Sequence, residues 1–191
     1  TGKTPLCIEI FQILKSLNIN AAFAKKYYEE FSDENRLLEN TGRVFSNKKR
    51  SEAIKLLIDS KFEVAILDDG FQDPSIKSDI SIVCFNERQW IGNGFIMPSG
   101  PLREKLTALK RCNYIFINGD QNLRSEKILK KFSPEVKIFY TQYKLINIDD
   151  IKNKKVLAFA GIGNPENFFD LLINNNIEII ETLKFPDHYN F

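Results

Sequence analysis

The chain has 191 residues, of which 43% are hydrophobic and 27% charged. That is enough for one or two domains with a sizeable core, and it excludes a wholly disordered chain, a collagen or a multi-span membrane protein. Lys+Arg 27 against Asp+Glu 25 leaves a net charge of +2, too balanced to argue for a nucleic-acid partner, so any anionic ligand must be recognised locally.

In chain order, Thr1-Gly2-Lys3-Thr4 runs directly into Leu6, Ile10, Ile13, Leu14 and Leu17, whose spacing predicts a helix over 5–17. Pro5 suits its first turn, where a missing N–H costs nothing. A short strand is expected over 19–24, then a polar, aromatic loop over 25–31. Ser32 to Glu34 reads as a helix start, with Leu37 and Leu38 behind it. A second helix is expected over 51–60. The apolar run 63–67 then stops abruptly at Asp68-Asp69-Gly70. A strand is expected over 80–85. Pro98-Ser99-Gly100-Pro101 is a turn feeding a helix over about 103–110. Strands at 114–117 and 137–143 flank a helix at 123–132. The polar stretch 146–155 reads as a linker. A new strand over 156–160 then leads through Gly161-Ile162-Gly163-Asn164-Pro165 into a helix ending near 174. Alternating strands and helices predict an α/β fold, a mostly parallel sheet with helices on both faces, followed by the start of a second, smaller α/β domain. The expected division is 1–148 and 149–191.

Three widely spaced cysteines, Cys7, Cys84 and Cys112, all in apolar surroundings, are expected to be buried reduced thiols. One histidine and no Cys-x-x-Cys pair argue against zinc.

Two motifs point to phosphate chemistry. Thr1-Gly2-Lys3-Thr4 at a helix start is the right half of a phosphate-binding loop: backbone N–H groups and the helix dipole face the anion, Lys3 reaches the β- and γ-phosphates and Thr4 ligates Mg²⁺. A buried strand ending in Asp68-Asp69 is its natural counterpart, since ligands of open parallel sheets sit at the carboxyl ends of strands, where such acids hold Mg²⁺. Asp33 and Glu34 read either as first-turn acids of a capped helix or as carboxylates that orient or deprotonate an acceptor hydroxyl. Arg103, after the Pro-Ser-Gly-Pro turn, either grips a phosphate as a planar fork or pairs with Glu104 on the surface. Gly161-Ile162-Gly163 lacks the third glycine of a dinucleotide site and reads as a tight strand-to-helix turn. Asp187 next to His188 allows a tuned imidazole without showing contact.

In combination the motifs resemble one family, the tetraacyldisaccharide 4'-kinases. The resemblance is carried by Thr1 to Pro5, Asp33-Glu34, Asp68-Asp69-Gly70-Phe71-Gln72, Pro98 to Glu104, Ala160 to Pro165 and Phe185-Pro186-Asp187-His188, in that order along nearly the whole chain. It implies a P-loop kinase of two α/β domains that uses ATP and Mg²⁺. The acceptor would be the 4'-hydroxyl of a tetraacylated glucosamine disaccharide 1-phosphate, phosphorylated to lipid IV-A. It implies work at the cytoplasmic face of a bacterial inner membrane, against a lipid substrate and a membrane surface, by a protein expected to be monomeric.

Carried over by position, Thr1, Gly2, Lys3 and Thr4 match the phosphate loop, and Asp68 and Asp69 the metal-binding acids, with Asp69 also placed among the catalytic groups. Asp33 matches the catalytic carboxylate and His188 its partner. Glu34, Arg50, Gln72 and Arg103 sit at supporting, substrate-side positions. The chain departs from the family in its shortened Lys25-Lys26-Tyr27-Tyr28 loop, and in Asp73, which stands where the family has histidine. Against the family pattern the chain is expected to be a fragment, lacking the first half of the phosphate loop with its strand, an N-terminal membrane helix and much of the second domain. Basic runs at Lys48-Lys49-Arg50 and Lys152, Lys154, Lys155 either face anionic lipid or are simply solvated. The alternatives are a P-loop kinase for another sugar or nucleoside hydroxyl, and a nucleotide-binding module without phosphoryl transfer.

Overall fold

The computed structural model describes residues 2–27, 32–187 and 189, without the side chains of residues 32–34. The chain divides into two compact units, Thr1–Gln142 and Tyr143–Phe191.

In the first unit, helix α1 (Lys3–Ser16) precedes strand β1 (Ala21–Lys26), helix α2 (Ser32–Glu39), strand β2 (Val44–Asn47), helix α3 (Arg50–Asp59) and strand β3 (Val64–Leu67). These strands form a parallel sheet in the order β2-β1-β3. The central strand is buried over five successive residues, the pattern of a strand covered on both faces. Alternate side chains go to opposite layers. Ala21 and Phe23 pack with Phe11 of α1 and Leu38 of α2, whereas Ala22 and Ala24 pack with Ala53 and Leu57 of α3. Phe11 stacks on Phe23 with ring centroids 5.0 Å apart. The sequence reading of helices on both faces of a parallel sheet describes this half well.

Strands β4 (Ile82–Asn86), β5 (Tyr114–Asn118) and β6 (Lys137–Thr141) form a second parallel sheet in that order. Helix α4 (Leu123–Phe132) and a 3₁₀ turn over Leu106–Arg111 cover one face, with Ile115, Ile117, Leu109 and Leu129 at its centre. Asn122 caps α4 by accepting from the N–H groups of Arg124 and Ser125, which closes two otherwise open donors of the first turn. The segment expected as a helix over about 103–110 is a 3₁₀ turn instead. Arg103 and Glu104 are drawn into ion pairs with Asp69 and Arg111, and the chain tightens only after them.

The second unit contains helix α5 (Ile148–Ile151), strand β7 (Lys155–Ala160), helix α6 (Glu166–Asn174) and strand β8 (Glu178–Lys184). The expected linker over 146–155 thus holds a short helix. Its strands pair in parallel, and Ala158 and Ala160 pack against Phe169 and Leu172 of α6. Strands β2 and β8 were not anticipated: β2 is short and buries only Phe45, and most of the seven-residue β8 is exposed. Among the described residues no helix is long and apolar enough to cross a membrane. None of the three cysteines forms a disulfide. Burial raises the thiol pKa of Cys7 to about 12 and those of Cys84 and Cys112 to about 11, so all three stay protonated at neutral pH and are poor nucleophiles.

Candidate phosphate and metal site

The site is assembled at the carboxyl end of the first sheet. Gly2 precedes α1 with φ 83, a left-handed conformation that glycine adopts without steric cost. Its carbonyl accepts from the N–H of Leu6 at 3.1 Å, and the first turn of α1 holds no acidic side chain. The open N–H groups and positive dipole end of the helix therefore suit an anion.

Lys3 and Thr4 meet the two acids that follow β3. Lys3 Nζ lies 2.6 Å from Asp69 Oδ1, and Thr4 Oγ1 donates to Asp68 Oδ2 at 3.0 Å. Arg103 Nη1 lies 2.5 Å from both carboxylate oxygens of Asp69. Burial pushes the Asp69 carboxyl up, but the hydrogen bonds from Arg103 and Lys3 outweigh it and hold the group at about 2. Asp69 is thus a carboxylate at any physiological pH.

Asp68 is 2% exposed. The pairing of Ala24 with Leu67 sets the next residues, Lys25 and Asp68, side by side. Lys25 is also buried, with Nζ 3.9 Å from Asp68 Oδ2. Residues 25–31 were expected to form a loop, yet β1 continues through Lys26 and carries this lysine into the site. The signal was a lysine that directly continues an apolar strand run towards the level of the twin acids.

Arg50 opens α3 and is 6% exposed. Its Nη1 donates to Asp73 Oδ2 at 3.0 Å, and its Nη2 donates to the Asp69 carbonyl at 3.0 Å. It therefore supports the acidic turn from beneath, and it does not join Lys48 and Lys49 as a solvent-facing basic run. Gln72 is exposed on the same loop. Asp33 and Glu34 belong to the first turn of α2, but their side chains lie outside the described part, as do Thr1 and His188. The predicted Lys3, Thr4, Asp68, Asp69 and Arg103 are brought together; Lys25 was the member that sequence reasoning missed as a site residue.

Two carboxylates and a hydroxyl are hard oxygen donors that fit Mg²⁺, which typically takes one or two protein carboxylates and completes its shell with phosphate oxygens and water. Lys3, Lys25 and Arg103 lie against the two carboxylates, an excess of positive charge suited to a polyanion.

The chain matches the family model described as tetraacyldisaccharide-1-P 4'-kinase over residues 18–191. It is 45% identical to the tetraacyldisaccharide 4'-kinase of Pelagibacter ubique (strain HTCC1062), covering 100% of this chain and 62% of that protein. It is 34% identical to the enzyme of the same name from Rickettsia canadensis (strain McKiel), covering 100% of this chain and 63% of that protein. The chain therefore spans less than two thirds of the length of these curated relatives. Among solved structures it resembles LpxK from Aquifex aeolicus in complex with ATP, with a TM-score of 0.72 and 21% identity over 99% of this chain and 68% of that one. This likeness establishes a P-loop-type α/β fold. With a family model matched over most of its length, the chain belongs to the tetraacyldisaccharide-1-P 4'-kinase family.

Proposed function

We propose that this chain carries the nucleotide-binding and phosphoryl-transfer part of a kinase that moves the γ-phosphoryl group of ATP to the 4'-hydroxyl of a tetraacyldisaccharide 1-phosphate, giving lipid IV-A. The observation that carries the reading is the convergence of Lys3 and Thr4 on Asp69 and Asp68. Family membership and the donor set add weight.

In this reading the N–H groups at the start of α1, preceded by Thr1 and Gly2, cradle the phosphates, and Lys3 neutralises the β- and γ-oxygens. Thr4, Asp68 and Asp69 would hold Mg²⁺, which supplies positive charge to the transferring phosphoryl group. Arg103 leaves Asp69 for a phosphate oxygen as charge spreads in the transition state. Asp33, with His188 as its partner, accepts the proton of the 4'-hydroxyl; the acceptor oxygen bonds to the γ-phosphorus while the bond from that phosphorus to the β–γ bridging oxygen breaks. Glu34 and Gln72 lie on the acceptor side. Because the acceptor is acylated, the reaction takes place at a membrane surface, with exposed Lys48 and Lys49 available to anionic lipid. The cytoplasmic face of the inner membrane follows from the need for ATP, and a monomer suffices.

The test is transfer of ³²P from γ-labelled ATP by the full-length protein, offered the tetraacylated disaccharide 1-phosphate and its deacylated counterpart. Labelling of the acylated acceptor alone at the 4'-position is the expected result. Equal labelling of the deacylated sugar would point to a kinase for soluble sugars, and Mg²⁺-dependent ATP binding with no labelled acceptor would leave only a nucleotide-binding module.

A further inference from the structure

The turn after β3 places a left-handed residue at its most highly charged point. Asp69 has φ 62, a conformation that disfavours an L-residue and persists where the surroundings over-determine it. Gly70 follows, and a Cβ on it would come within 2.8 Å of Leu67 Cβ, so the turn is pressed against the end of its own strand. The carbonyls of this turn are held by Arg50, whose Nη2 donates to Asp69 O at 3.0 Å and reaches Asp68 O at 3.5 Å.

A buried guanidinium requires a carboxylate nearby, and Asp73 provides it through Oδ2, 3.0 Å from Arg50 Nη1. Asp73 is fixed in turn. Its Oδ1 accepts from Ser75 Oγ at 2.5 Å and from the Ser75 N–H at 3.1 Å, and its own N–H donates to the Gly70 carbonyl at 3.1 Å. The Ser75 hydroxyl, ahead of the Ser75 amide and Arg50, draws the Asp73 carboxyl below its ordinary range against the opposing effect of burial. Asp69, Gly70, Asp73 and Arg50 thus close a ring of covalent and hydrogen bonds around the acidic turn.

We propose that Asp73 is a positioning residue: by anchoring Arg50 it fixes the backbone of Asp68 and Asp69 in the orientation from which their carboxylates meet Thr4 and Lys3. The inference rests on the nucleotide–metal reading of that site. Asp73 acts on the carbonyl side of the turn, so its effect reaches the metal ligands through geometry and not as a ligand of its own. Partners behind metal ligands typically change metal affinity or activity by about 10- to 100-fold when removed.

The experiment measures ATP binding to the full-length protein by calorimetry over a series of Mg²⁺ concentrations and in EDTA, with melting temperature recorded for every variant. Asp73→Ala is expected to raise the Mg²⁺ concentration for half-saturation by about tenfold, while binding in EDTA changes by less than about twofold. Asp73→Glu should recover most of the loss. Arg50→Lys, which removes the planar fork, should shift Mg²⁺ dependence in the same direction, and Asp73→Ala should add little on that background. Ser75→Ala, which loosens Asp73 without removing charge, gives a smaller shift of the same sign and keeps the test decisive if Asp73→Ala fails to fold. A purely structural role would lower the melting temperature and weaken binding equally with and without Mg²⁺, with Glu no better than Ala. That outcome, or a Mg²⁺ dependence equal to wild type in these variants, overturns the inference alone. Full-length wild-type protein with no Mg²⁺-dependent ATP binding overturns the site reading and this inference together.

Discussion

The two sheets of the first unit are built from similar parallel strands but are covered differently. In β1 every side chain from Ala21 to Lys25 is buried, with α1 and α2 over one face and α3 over the other. In β5 burial alternates: Ile115 and Ile117 are enclosed, while Tyr114 and Phe116 are only partly buried beside Phe139, which is 45% exposed. The acids, Lys3 and Lys25 all hang from the doubly covered sheet or the helix packed on it. The second sheet's side contributes Arg103 through the loop between β4 and β5. Groups that share a metal need placement to a fraction of an ångström, which strand and helix ends provide better than loops; a long arginine can span the remaining gap from a loop.

The largest expected effect tests the doubly covered face. Phe23→Ala should lower folding stability by about 3–5 kcal/mol in urea denaturation; a loss below about 1 kcal/mol would erase the contrast between the sheets. Next come the groups that this face positions. On the proposed reading, Lys3→Ala and Asp69→Ala in the full-length protein should each reduce kcat/KM for phosphoryl transfer by at least about 100-fold, or about 2.7 kcal/mol, and normal turnover in both would separate the rigid sheet from the chemistry. On the open face of the second sheet, Phe139→Ala should cost only about 1 kcal/mol, since the ring is already half in water.

The smallest effect concerns Glu126 on α4, which accepts from Gln121 and from the Tyr140 hydroxyl of β6. These bonds, that of Gln121 foremost, hold its carboxyl below the ordinary value of 4.5. The native state therefore favours the ionised form, and its contribution is complete above pH 4.5 and disappears as pH falls through the lowered folded value. Glu126→Gln should be less stable than wild type by under about 1 kcal/mol at pH 7, with the difference closing in acid. A difference that widens as pH falls would reverse the assignment.

Much of this was legible because local and long-range signals agree. The helix expected over 123–132 is α4, whose bounds match, with Asn122 capping it. The apolar run before Asp68 is the expected strand with its acids just past the end, although only Ile66 of it is fully buried. Reading failed where tertiary contacts override local pattern. Val44–Asn47 is four residues long and buries one side chain, too short a pattern to stand out from a turn. Lys25 looks like a loop residue until β1 and β3 are aligned, since its burial depends on Asp68, 43 positions away. Arg50 reads as part of a basic surface run, yet Asp73 and two carbonyls draw it inside. Arg103 and Glu104, expected to open a helix after the Pro-Ser-Gly-Pro turn, follow their ion-pair partners instead.

The shared grip of Lys3 and Arg103 on Asp69 also bears on which anions the site will accept. Both cations already have a counter-ion supplied by the protein, so a bare phosphate compound must compete with Asp69 for them. A ligand that arrives with its own divalent partner offers Asp69 a replacement and frees both cations in a single exchange. On the proposed reading, the shared grip on Asp69 thus favours the metal-bound form of a phosphate ligand over its bare form.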